Sequence, residues 1–216
     1  MTVTTTSTAR PRRAPTALRL VSEQQPPATE QVLPFRADDC RAEADQLLKQ
    51  GLVRRVIADV LVAFDAPDSR EIRALAAGLL IPTELRVSAG WVVGFGSAAW
   101  LHTGPGSADP QPPAELQVII PPGRRRPKLP GVRGRQVALA PDQVIFLGPV
   151  PVTDPVRTAA DVARDMPADE AVAALRRLGE LCGVRPHHVL QMLATMRYAR
   201  GAATARRVIK TWTEEP

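Results

Sequence analysis

Hydrophobic and polar positions divide the chain into stretches of different period. From residue 38, DDCRAEADQLLKQG reads as a helix, with Asp38 or Asp39 available as a cap and Gly51 as the stop. LVRRVIADVLVAF, residues 52–64, is rich in β-branched side chains and free of Pro and Gly. It predicts two short strands joined near Ala58 and Asp59. REIRALAAGLL follows as a second helix, capped by Asp68 or Ser69 and unable to continue through Pro82. A helix followed by a small basic hairpin is the pattern that ends a winged helix.

The middle of the chain changes character. WVVGFGSAAWLH predicts a short buried helix, and LQVIIP at 116–121 a strand ended by Pro-Pro-Gly. GVRGRQVAL and QVIFLG read as further strands, separated by a turn at Pro141-Asp142. From residue 154 onward the period is helical. Val172, Leu175 and Leu178 share a face, as do Val189, Leu193 and Met196. In the last segment Ala205, Val208, Ile209 and Trp212 form an apolar stripe opposite Arg206, Arg207 and Lys210. Residues 1–37 are rich in Thr, Pro and Gln without periodicity and read as a disordered arm. The expected fold class is therefore α+β. A partial winged helix-turn-helix over 38–86 is followed by a small mixed sheet with C-terminal helices over 87–216.

Composition sharpens this picture in three respects. With 216 residues, 44% of them hydrophobic but only 4% aromatic, the chain can build a core, and that core must be mostly Ala, Val and Leu. The 22 prolines gather at 11–34, 105–130 and 141–155, which marks those stretches as tail, loop and turn. The net charge of +6 favours an anionic partner, nucleic acid first. Its distribution matters more than its size: residues 124–135 (RRRPKLPGVRGR) hold six Lys or Arg and no acid. Residues 176–210 hold eight against the single Glu180, and RPRR at 10–13 adds a third cluster. Cys40 and Cys182 form no CxxC, and neither a secretory leader nor a run of apolar residues near membrane-span length is visible. A soluble, cytoplasmic protein with reduced thiols is expected.

Motifs for chemistry are weak. GFGSAA at 94–99 has dinucleotide-fingerprint spacing but lacks a βαβ unit and a correctly placed acid, so tight helix packing is the better reading. His187-His188 makes a poor chelate, no zinc spacing completes it, and no metal or cofactor is expected. Ser97, His102 and Asp109 lack a nucleophile elbow. The strand interiors carry no carboxylate, which argues against a nuclease core and for a non-enzymatic protein. The basic stretch with Arg124, Arg125, Arg126 and Lys128 reads either as a solvated turn or as a phosphate contact that needs only flexible cations. Arg54 and Arg55 on the hairpin, and Arg206 and Arg207 on the last helix, are the other candidates for DNA contact.

In VPVTDPVRTAADVA, residues 150–163, Asp154 is a good N-cap and Pro155 suits the first helical position. Arg157 and Asp161 then lie four apart in the poorer order for a surface pair, with the Arg in the positive first turn. They are expected to brace this helix against a neighbouring element.

The same stretch carries a family resemblance. Ser97-Ala98-Ala99-Trp100-Leu101-His102, followed by strands and then by Pro151, Val152, Thr153, Arg157, Thr158 and Asp161 in order, resembles the AbiEi antitoxins of type IV toxin–antitoxin pairs and related actinobacterial regulators. The resemblance spans about residues 40–210. It implies a winged-helix DNA-binding transcriptional regulator acting on double-stranded DNA at its own promoter. A nucleotidyltransferase-type toxin and a second copy of the chain are the implied or possible partners. A protein-interaction module without DNA binding, neutralising a toxin or dimerising, stands as the alternative.

Overall fold

The structure is a computed structural model that describes residues 33–82, 90–105, 112–124, 126, 128–196 and 200–214. Of the arm expected over residues 1–37, residues 1–32 with the RPRR cluster lie outside the described residues, as do Asp109 and Arg125. The described residues all belong to one compact unit. They form a mixed α+β fold with two small sheets and a run of C-terminal helices.

The first sheet has three strands: β1 (Phe35–Arg36), β2 (Val53–Ile57) and β3 (Val60–Ala63), in the order β1-β3-β2. Strand β1 was not expected; Phe35 and Arg36 pair with Leu61 and Val60, and so belong to the fold and not to the arm. A 3₁₀ turn (Ala37–Cys40) leads into α1 (Arg41–Lys49), and neither Asp38 nor Asp39 caps it by a side-chain bond. Instead Asp38 pairs with Arg36 and Arg41. Gly51 ends the helix at φ 67°, in the left-handed region expected of it. The hairpin turns at Ala58 and Asp59 as its sequence indicates, and Ser69, not Asp68, caps α2 (Arg70–Leu79) through the Ile72 amide.

The second sheet has the order β6-β5-β4-β8-β7. Its strands are β4 (Val92–Val93), β5 (Leu116–Ile120), β6 (Val132–Gln136), β7 (Val144–Leu147) and β8 (Val150–Thr153). The pairs β5–β6 and β4–β8 are parallel, β4–β5 and β7–β8 antiparallel. Strand β8 is internal yet contains Pro151. The Asp154 amide bonds the Gln143 carbonyl, which sets the alternation of the β7–β8 ladder and turns the backbone of Pro151 away from β7. It faces β4, where only Val152 is in register with Val93, so the missing N–H removes no ladder bond.

Helix α3 (Phe95–Thr103) is buried on nearly every side. It has no polar face, and such a helix belongs inside. Ala98, Trp100 and Leu101 pack into a core shared by α2, the β2–β3 hairpin and one face of the large sheet. That core crosses the domain boundary expected near residue 86, so hairpin and sheet do not have separate interiors. Ala99 points instead into a second core built by α4 (Pro155–Asp165), α5 (Ala168–Cys182), α6 (Pro186–Thr195) and α7 (Ala202–Glu214).

The polar groups of α3 are satisfied by its neighbours. Ser97 Oγ donates to the Glu115 carbonyl and accepts from the Gln117 amide at 2.8 Å, while Gln117 Oε1 accepts from the Gly96 amide. Nε2 of His102 lies 2.8 Å from the Thr153 carbonyl; a carbonyl can only accept, so Nε2 carries the proton. At the negative C-terminal end of the helix, Arg73 donates to the Leu101 carbonyl and Arg177 to that of Thr103.

Two predictions follow from the seat of this helix. A Cβ at Gly94 would stand 2.6 Å from Ile119 Cδ1 and 2.8 Å from its Cγ1. Gly94→Ala should therefore destabilise the protein by about 1–3 kcal/mol, read from urea unfolding. Burial pushes the His102 imidazole below its ordinary pKa, against the pull of the Thr153 carbonyl. The unfolded chain then takes the proton more readily. The His102 contribution is complete above the unfolded value of about 6.5 and is lost as pH falls below it. Relative to His102→Gln, the wild type should lose stability between neutral pH and pH ~5; a constant difference would refute this.

Candidate nucleic-acid interface

The basic stretch after β5 runs through an exposed turn into the edge strand β6. Arg124 is exposed there; its amide donates to the Pro121 carbonyl, and its own carbonyl accepts from Gln136 Nε2. Leu129 makes a single bridge with Val132, folding the loop back over the start of the strand. An open depression of about 570 Å³ results. Leu129, Pro130 and Val132 supply its apolar lining, Arg126, Lys128 and Arg133 its charge, and among the described residues no carboxylate lines it. All three cations are exposed. Three flexible cations around a depression without acids suit a polyanion held by its phosphates. Among the described residues no aromatic side chain lines it, and the lining offers cations for phosphate in place of a stacking platform.

Of the residues expected at such a surface, Arg126 and Lys128 come together here, with Arg124 in the preceding turn and Arg133 added by the structure. Arg135, two residues on and therefore on the same face of β6, is engaged elsewhere. Its guanidinium sits 4.6 Å from the centre of the Phe95 ring and 3.0 Å from the Asp165 carboxylate. Phe95 has φ 56°, unusual for a bulky side chain, and such a conformation costs on the order of 1–3 kcal/mol that packing must offset.

The hairpin arginines are not part of this surface. Arg54 donates to the Ala66 carbonyl at 3.1 Å and Arg55 to that of Ala58, so both guanidiniums bond the backbone of their own turn region. Arg206 and Arg207 stand exposed on α7 and do not line the depression. His187 and His188 are exposed neighbours, and among the described residues no group of three His, Cys, Asp or Glu is placed to hold a metal. GFGSAA presents no free amide nest of the dinucleotide kind: the Gly96 amide is taken by Gln117 and Ser97 is fully buried.

Behind the sheet, Arg157 and Asp161 form a buried pair. Asp154 caps α4 by accepting from the Val156 and Arg157 amides, with Pro155 in the first turn. Arg157 Nε donates to Asp161 at 2.9 Å, and its Nη1 reaches Gln143 Oε1 at 2.6 Å in the turn before β7. The second Asp161 oxygen accepts from Arg164 at 3.2 Å, and Arg164 Nε donates to the Arg200 carbonyl before α7. Asp161 is fully buried and Arg157 2% exposed. Burial pushes the Asp161 carboxyl up, and the two guanidiniums oppose that push. The trio ties α4 to the edge of the sheet on one side and to the approach of α7 on the other.

No family model matches the chain, and no curated protein matches it. Among the described residues no helix is long and apolar enough to cross a membrane.

Removing one partner of a buried pair leaves a charge uncompensated. Arg157→Ala should cost about 3–5 kcal/mol in chemical unfolding. The triple change Arg157→Met, Asp161→Leu and Arg164→Met, which removes every charge of the trio, should restore most of that loss. A cost for the single variant below about 0.5 kcal/mol, the range of ordinary surface changes, would refute the bracing role.

Proposed function

We propose that the protein is a non-enzymatic DNA-binding regulator that grips the duplex backbone with the basic edge of its five-stranded sheet. The observation that carries this reading is the depression beside β6, with Arg126, Lys128 and Arg133 on its rim and no acid among its described lining residues. Net charge +6 supports it. The resemblance to AbiEi antitoxins, carried by Ser97–His102 and by Pro151–Asp161, agrees with it. The N-terminal sheet, with the order β1-β3-β2, is compatible with the wing end of a winged helix, although the described residues between β1 and β2 hold a single α-helix and not a helix-turn-helix pair. In this reading the cognate ligand is promoter DNA of the protein's own operon, and a nucleotidyltransferase-type toxin is the protein partner. The cations contact phosphate, so this surface supplies affinity and little sequence discrimination.

A second reading, a protein-interaction module, is favoured by one feature: Phe146 is 70% exposed on a strand at the other end of the same sheet.

The test is binding of a labelled duplex from upstream of the gene across a salt series. Each neutralised phosphate contributes about 0.9 to the slope of log affinity against log salt. Replacing Arg126, Lys128 and Arg133 together by Ala should weaken binding and lower the slope by about 2.7, with an unchanged melting temperature. No binding at low salt, or a slope that the triple variant leaves intact, would overturn the reading.

A further inference from the structure

Four strands end the two sheets, and three of those edges carry charge: Arg36 on β1, Arg54 and Arg55 on β2, Arg133 and Arg135 on β6. Charged side chains keep an edge from pairing with another chain. Strand β7 has none. It reads Val-Ile-Phe-Leu, with no Pro or Gly, and among the described residues no strand lies on its outer side. The ladder alternation that points Ile145 and Leu147 at β8 directs the backbone of Val144 and Phe146 outward. The Val144 amide is taken by the Pro141 carbonyl, which leaves the Val144 carbonyl and both backbone groups of Phe146 facing out. The Phe146 side chain is 70% exposed, although its own strand is otherwise half-buried or buried. Beside the turn after β7, Leu33, Pro34, Leu75, Leu79 and Pro149 enclose an apolar hollow of about 180 Å³, and Leu33 is 59% exposed.

We propose that β7 is a dimerisation strand that pairs antiparallel with β7 of a second copy. An uncharged edge with free amide and carbonyl groups is satisfied by another strand, and a short apolar strand is its own complement under a twofold axis. The outward alternation sets Phe146 opposite its own copy on that axis, in a hydrogen-bonded pair. The two sheets then continue as one, with the basic β6 edges at its far ends. The apolar hollow adds contact area, which a four-residue strand needs to approach the ~1,000 Å² of a specific interface.

The interface does not involve the basic surface, so it is tested without nucleic acid. Sedimentation velocity of the full chain over a wide concentration range should show a reversible monomer–dimer equilibrium. Phe146→Lys places two like charges on the axis and should abolish the dimer while leaving the melting temperature unchanged at concentrations where the wild type is monomeric. Phe64→Lys, at another exposed phenylalanine (65% exposed) in the turn after β3, should dimerise like the wild type. A wild type that stays monomeric, as it would if this edge served a different protein, overturns the proposal. So does a dimer that survives Phe146→Lys or is lost with Phe64→Lys.

Discussion

The fold depends on placing one short helix, α3, entirely inside the protein without leaving its polar groups unpaired. A nine-residue helix cannot stand alone in water, so its stability comes from what surrounds it. Small side chains at Gly96, Ser97, Ala98 and Ala99 let strands and helices approach closely, and each polar group meets a fixed partner. Ser97 holds the helix to β5, His102 holds it to the end of β8, and two arginines close its C-terminus. The two cores meet at α3, which contributes to both. A polar group buried without its partner costs about as much as a large part of a domain's net stability, so these contacts fix position as much as they add energy.

The Arg157–Asp161–Arg164 trio performs a related task one layer away. Its worth lies in connectivity: a single buried carboxylate between two guanidiniums links the turn before β7, helix α4 and the segment before α7. Buried pairs contribute little net energy compared with a well-packed apolar substitute, but once present they tolerate no partial removal. The Thr153–Thr158 bond and the Asp154 cap fix the start of the same helix, so β8 and α4 behave as one unit.

Much of the element order was legible in the sequence because it rests on local rules. The hairpin over 52–64, the strand at 116–120, the Ser69 and Asp154 caps, the Gly51 stop and the apolar stripes of the last helices all follow from period and capping. Strands β1 and β4, two residues each, carry no period to read, and β8 was masked by Pro151. The surface was legible only in part. The charge of residues 124–135 is plain in the sequence, but not that Arg133 and Arg135, neighbours on one face of β6, take different partners, one at the rim of the depression and one at Phe95 and Asp165. The pairing of Arg157 with Asp161 is visible from their spacing. The reach of Arg157 to Gln143, of Arg73 to Leu101 and of Arg177 to Thr103 joins residues distant in sequence, and only the fold reveals it.

The five-stranded sheet has ends of opposite chemistry, β6 cationic and β7 apolar, separated by four strand spacings, or about 19 Å. Bodies bound at the two ends would not collide, and neither would need to displace the other. Because both edges belong to one hydrogen-bonded ladder, they keep a fixed mutual orientation. Whatever seats on one edge is aimed by the sheet relative to whatever seats on the other. If both proposed contacts form, the protein would be a rigid spacer with two unlike grips, its geometry set by strand count and twist.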